Sequence, residues 1–266
     1  MRIYRYWQEE TGEIEIDGRS LAIRGYGKSN NSIEEARQDA AARLRKVQRK
    51  IAGKAVVKED YSADIREEIV HEIDAHNVIT RNRYGARVLN TDSTTILDID
   101  HHRKSFLEAL GFKRREDKAA IVEDLAILVA RPEYQALGFR VYETAKGVRV
   151  IVIGRYFDPN ATDGHSLMER SNTDPVFAML CRKQACYRAR LTPKPYRIKQ
   201  KGIRYRWPMK QEDLQRAQSW VNEYEIRSAN FAVCRYLKTL GSQTLLSEIV
   251  ALHDDATKAD SGQPLA

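Results

Sequence analysis

Two aspartates separated by one residue, Asp98 and Asp100, close the run Thr94-Thr95-Ile96-Leu97-Asp98-Ile99-Asp100-His101-His102. Side chains on a strand alternate faces, so both carboxylates point one way while Leu97 and Ile99 point into a core. Two like charges held that close repel unless a cation lies between them. Mg²⁺ or Mn²⁺, bound by one or two carboxylates and completed by substrate phosphates, is the cofactor such a pair suits. The alternative at this point is an acidic strand end facing water with no ligand.

The basic residues are gathered rather than spread. Between Cys181 and Arg206 the chain carries Arg182, Lys183, Arg188, Arg190, Lys194, Arg197, Lys199, Lys201, Arg204 and Arg206 and no acid. The net charge is +8, and without those ten the remaining bases of the 45 are fewer than the 37 acids. A patch of this kind points to a polyanion, DNA or RNA. Tyr196, Tyr205 and Trp207 are interleaved with the later bases and Tyr187 with the earlier ones, as expected where nucleobases stack and phosphates are neutralised. A short strand over 187–191 puts Arg188 and Arg190 on one face. The other reading is an exposed basic loop whose aromatics are tucked into the core.

The elements that must position these groups follow from periodicity. Residues 2–25 alternate apolar and polar around the turn signals Thr11-Gly12 and Asp17-Gly18, which predicts a small β-meander. Gly25 to Asn31 breaks that pattern. Ser32 with Glu35 forms a capping box for a helix whose stripe Ile33, Ala36, Ala40, Leu44, Val47 and Ile51 ends at Gly53. Its other face carries Arg37, Arg45, Lys46, Arg49 and Lys50, a solvated face or an auxiliary nucleic-acid contact. A second helix is expected over about 62–75, from the spacing of Ile65, Ile69 and Ile73.

Residues 78–90 read as strand, turn and strand leading into the acidic strand, and 104–130 as helix-rich. Residues 139–144 and 148–153 form a hairpin bent at Gly147. Arg149 lies in its otherwise apolar second strand. Beside the acidic strand, Arg149 would be either an ion-pair partner of the aspartates or a clamp for phosphate. Asp174-Pro175 opens a short helix. After Pro208 the spacing predicts one long helix or two, stopped at Gly241, then a last buried element over Leu245–Leu252. The resulting expectation is an α+β chain with an N-terminal module at 1–77, a core at 78–255 and a disordered polar tail at 256–266.

At 266 residues, with 42% apolar and 31% charged residues, the chain can bury a sizeable core in the manner of a soluble protein. No apolar run approaches the roughly 20 residues that span a bilayer. The segment Met1 to Trp7 lacks a signal core, so a cytoplasmic location is expected. Three cysteines argue against a disulfide framework. Cys181 and Cys186 lack a close second Cys/His pair, which disfavours a structural zinc site.

The strand ending Asp98-Ile99-Asp100 and the hairpin Tyr142-Glu143-Thr144-Ala145-Lys146-Gly147-Val148-Arg149-Val150 together resemble the catalytic core of the archaeo-eukaryotic primase and primase-polymerase superfamily. The resemblance covers residues 78–255 and implies a palm-like mixed or antiparallel sheet with flanking helices. It also implies metal-dependent nucleotidyl transfer from nucleoside triphosphates, with Asp98 and Asp100 as metal ligands. Where that family places a phosphate-binding histidine this chain has Arg149, with Lys146 in the same hairpin. The third carboxylate corresponds to Asp254 in Leu252-His253-Asp254 or to Asp158 in Phe157-Asp158. The stretch Arg188 to Pro195 also resembles uncharacterised bacterial and phage proteins, which implies no chemistry. One sheet can host binders as well as enzymes. A primase-type transferase, a non-catalytic nucleic-acid-binding relative and a metal-dependent nuclease therefore stand as three readings.

Overall fold

The computed structural model describes residues 1–16, 18–51, 53, 63–101 and 117–266. The expected helix over 104–116, His102 and Asp17 of the predicted turn lie outside the described residues.

A long hairpin, β1 (Tyr6–Ile16) and β2 (Arg19–Ser29), is covered by helix α1 (Ile33–Ile51). The turn at Gly18 stands, but Thr11 and Gly12 do not turn; they pair with Arg24 and Ile23 inside the ladder. Gly25 and Gly27 likewise continue β2 rather than interrupt it. A Cβ on Gly27 would come within 2.0 Å of the Ala36 carbonyl, and one on Gly25 within 2.6 Å of that of Ala40. The glycines are thus spaced two apart on one strand face against alanines four apart on one helix face, which lets the backbones touch. Ser32 caps α1 by accepting from the Glu35 amide at 3.1 Å, while the Glu35 carboxylate turns to Ser29 and Asn31.

Two four-stranded sheets form the remainder, with every strand pair antiparallel. The first holds β3 (Glu68–Asp74), β4 (Asn77–Arg81), β5 (Arg87–Thr91) and β9 (Tyr187–Arg190), in that order. The second orders β10 (Cys234–Gly241), β7 (Gly138–Thr144), β8 (Val148–Ile153) and β6 (Ile96–Ile99). Helices α2 (Asp117–Val129), α3 (Thr162–Arg170), α4 (Pro175–Gln184), α5 (Gln211–Ser228) and α6 (Glu248–Thr257), with a short 3-10 helix (Pro195–Ile198), complete the described elements. Leu89 and Ala189 of the first sheet share one buried core with Leu97, Val141 and Val150 of the second and with Leu125, Leu167 and Val250 of the helices. This is an α+β architecture of antiparallel sheets.

Three further expectations are corrected. Residues 68–74 form β3, not a helix, because a spacing of four, as in Ile65, Ile69 and Ile73, returns to one face on a strand as well as on a helix. Helix α5 ends at Ser228, and residues 234–241 become an edge strand paired with β7 instead of a second helix. Residues 256–266 are packed: the Ala266 amide donates to the Ala232 carbonyl at 2.9 Å and the Ala232 amide to that of Pro264 at 3.0 Å. Ala259 and Ala266 are buried there. Among the described residues no helix is long and apolar enough to cross a membrane.

Candidate functional site

The acidic strand β6 runs against β8, and the register places Asp98 directly opposite Arg149. Leu97 and Ile99 are buried while Asp98 and Asp100 remain half-exposed, the alternation that β6 dictates. The Arg149 Nε lies 4.0 Å from Asp98 Oδ1. Lys146, in the hairpin bend, ion-pairs with Asp100 at 2.5 Å. Thus both aspartates, Arg149 and Lys146 share one sheet end.

Arg149 is almost wholly buried and held from behind. Its Nη1 donates to the Arg190 carbonyl at 3.2 Å and meets His253 Nε2 at 3.2 Å. Burial, reinforced by Arg149, pushes His253 down to about 4, so at neutral pH its ring is uncharged and Nε2 can accept from Arg149. The His253 Nδ1 then donates to Asp254 Oδ1 at 3.1 Å.

Asp254, the expected third carboxylate, is spent within this network. Its Oδ2 accepts from Arg140 Nη2 at 2.6 Å and Nε at 2.9 Å, and its Oδ1 accepts from the Tyr142 hydroxyl at 2.5 Å. Burial alone would raise its pKa, but the hydrogen bonds from His253, Tyr142 and Arg140 hold it below the ordinary carboxylate value. Asp158, the alternative, accepts from the Asn160 amide at 2.8 Å in a turn. Among the described residues no group of three or more His, Cys, Asp or Glu side chains is placed to hold a metal ion. Of the expected pair, Asp98 lines the cleft described next, whereas Asp100 is taken up by Lys146 and is not part of that lining.

In front of Arg149 opens a cleft of about 1170 Å³ whose wall carries seven arginines: Arg66, Arg83, Arg149, Arg188, Arg190, Arg204 and Arg206. Its acids are Asp64, Glu67 and Asp98. Glu67 is already paired with Arg188 at 2.5 Å, and Asp64 with Lys28. Among the described residues the Nε atoms of Arg149, Arg188 and Arg190 are buried without a hydrogen-bond partner, as is the Gln184 Oε1 of the same lining. Burial, with Arg149 adding repulsion, pushes Arg190 down to about 10. Burial and Arg190 likewise hold Lys194 below its usual value. Arg197 also pushes on both. Cations crowded in this way repel one another, and an anion among them relieves the cost.

The sequence-predicted residues divide accordingly. Asp98, Arg149, Arg188 and Arg190 line the cleft, and Lys194 and Arg197 lie within electrostatic reach of Arg190. Tyr196 is exposed beside Arg197, available as a stacking face. Tyr187 is not: it is fully buried, its hydroxyl donates to the Phe157 carbonyl at 2.8 Å, and it belongs to the core. Arg182 sits against His165 at 3.0 Å on the last turn of α4, and with Lys183 it is outside the cleft lining. Arg66 and Arg83 escaped the sequence reading. Arg83 sits in an Arg-Asn-Arg turn that could have flagged it, whereas Arg66 has no local signal.

These features define an α+β protein with a basic cleft at the end of two antiparallel sheets. Comparison with family models, curated proteins and solved structures finds no match to the chain.

Proposed function

We propose that the cleft binds nucleic acid through its phosphates. The observation that carries this reading is the set of seven arginines lining one cleft against three acids, two of which, Asp64 and Glu67, are already paired. An unpaired buried donor on a charged group is costly, and phosphate oxygens satisfy arginine forks well. Affinity for a single-stranded oligonucleotide is expected to fall with salt at a log–log slope of about 0.7 per phosphate neutralised. Arg204→Ala and Arg206→Ala, on the same wall, should each flatten that slope by about one phosphate's share. Fluorescence anisotropy across a salt series reads both, and binding indifferent to salt would sink the proposal.

A second reading, nucleotidyl transfer of primase type from nucleoside triphosphates, is favoured by Asp98 lining the cleft opposite Arg149. Asp98 and Asp100 would hold Mg²⁺ or Mn²⁺ together with substrate phosphates, the ion supplying Lewis-acid charge for phosphoryl transfer. Arg149 steadies a phosphate with its fixed fork. Primer extension on a single-stranded template with Mn²⁺ is expected to vanish in Asp98→Ala. Degradation of the template, lost in that same variant, would instead identify a nuclease. Neither product at high protein concentration leaves the cleft a binding site alone.

A further inference from the structure

The floor of the cleft is more cationic than an internal phosphodiester needs. Among the described residues Arg190 has no carboxylate within ion-pair distance; Arg149 and Arg197 repel it and the more distant Asp98 carboxylate offsets them in part. Arg149 has only the 4.0 Å approach of Asp98. A diester presents a single negative charge and two free oxygens. A terminal phosphomonoester presents about −1.5 to −2 at pH 7 and three strong acceptor oxygens. Two adjacent forks with unpaired Nε atoms match the second far better than the first. Along the same wall, Tyr84 is 53% exposed and Trp207 is partly exposed. Rings so placed can stack on unpaired bases.

We infer that the floor formed by Arg149 and Arg190 is a pocket for the terminal phosphate of a single nucleic-acid strand, whose following bases run past Tyr84 and Trp207. The inference rests on the nucleic-acid reading of the cleft. It narrows the ligand from any polyanion to a strand end bearing a monoester.

The test compares one short single strand, labelled mid-chain, in three forms: 5′-phosphorylated, 3′-phosphorylated and hydroxyl at both ends. One phosphorylated form is expected to bind about tenfold tighter than the hydroxyl-ended strand, the worth of one charge-assisted contact. That advantage should shrink between about pH 7 and pH 5, because the monoester takes up its second proton near pH 6. Inorganic phosphate at matched ionic strength should erase it. Equal affinity for all three ends, or an advantage that persists in saturating phosphate, overturns the pocket. Absence of any binding at low salt instead overturns the nucleic-acid reading itself.

In Arg190→Gln the ratio between phosphorylated and hydroxyl-ended strands should collapse toward one, and a ratio equal to wild type overturns the assignment. Removing a buried charge without a counter-ion should leave the melting temperature at or above that of wild type. Should that variant fail to fold, Arg190→Lys keeps the charge and loses the fork. Its ratio should fall between those extremes, and a full wild-type ratio there again overturns the assignment.

Discussion

Asp254→Ala is expected to destabilise the protein by about 3–5 kcal/mol, the usual cost of removing one partner from a buried ion pair. The reason is what remains. Arg140 would keep its charge in a site where its Nε and Nη2 now reach Asp254, and the Tyr142 hydroxyl would lose its acceptor. His253 would lose the carboxylate that receives its Nδ1 proton. For a chain of this size the melting temperature should drop by roughly 10 °C. Asp254→Asn, which keeps an acceptor oxygen but no charge, should cost less. Thermal unfolding without added metal separates this role from the one the resemblance implies. A carboxylate kept only as a metal ligand would leave the metal-free protein unharmed or stabilised when removed. An unchanged Tm for Asp254→Ala would therefore return Asp254 to the ligand set.

Reversing both arginines of β9, Arg188→Glu and Arg190→Glu, should weaken oligonucleotide binding by at least about a hundredfold, taking tenfold per reversed contact. Position 190 lies at the cationic floor, and position 188 faces Glu67, so both new carboxylates would repel phosphate where the wild type attracts it. Retention on a filter is the readout, with circular dichroism to verify that the sheet persists. Undiminished binding would move the nucleic-acid site away from this cleft.

Much of the sheet architecture was legible because alternation is a local property. The Asp98/Asp100 strand, the hairpin around Gly147 and the Arg188/Arg190 strand each carry their own period of two, and Asp174 announces α4 by accepting from the Phe177 amide. The position of Arg149 beside the aspartates could be framed only as a condition, since strand order is not local. The same gap explains the misread elements. Residues 234–241 have apolar spacing that suits a helix, yet the free edge of β7 takes them as a strand. Tyr187 adjoins Arg188 in sequence, but on a strand neighbours face opposite sides, and Tyr187 turns into the core. Arg140, which pairs with Asp254, lies 114 residues away in the chain, beyond the reach of any local pattern.

Asp98 and Arg149 face each other as partners in an antiparallel ladder, so the spacing of their Cα atoms is fixed by peptide hydrogen bonds. The Arg149 guanidinium is further held by its burial and by its contacts with the Arg190 carbonyl and His253 Nε2. The charges are in place before anything arrives, and little ordering entropy remains to be spent on capture. Ligands that differ only in how well they fill the floor should reach it at similar rates, and selectivity should be read in how long each one stays.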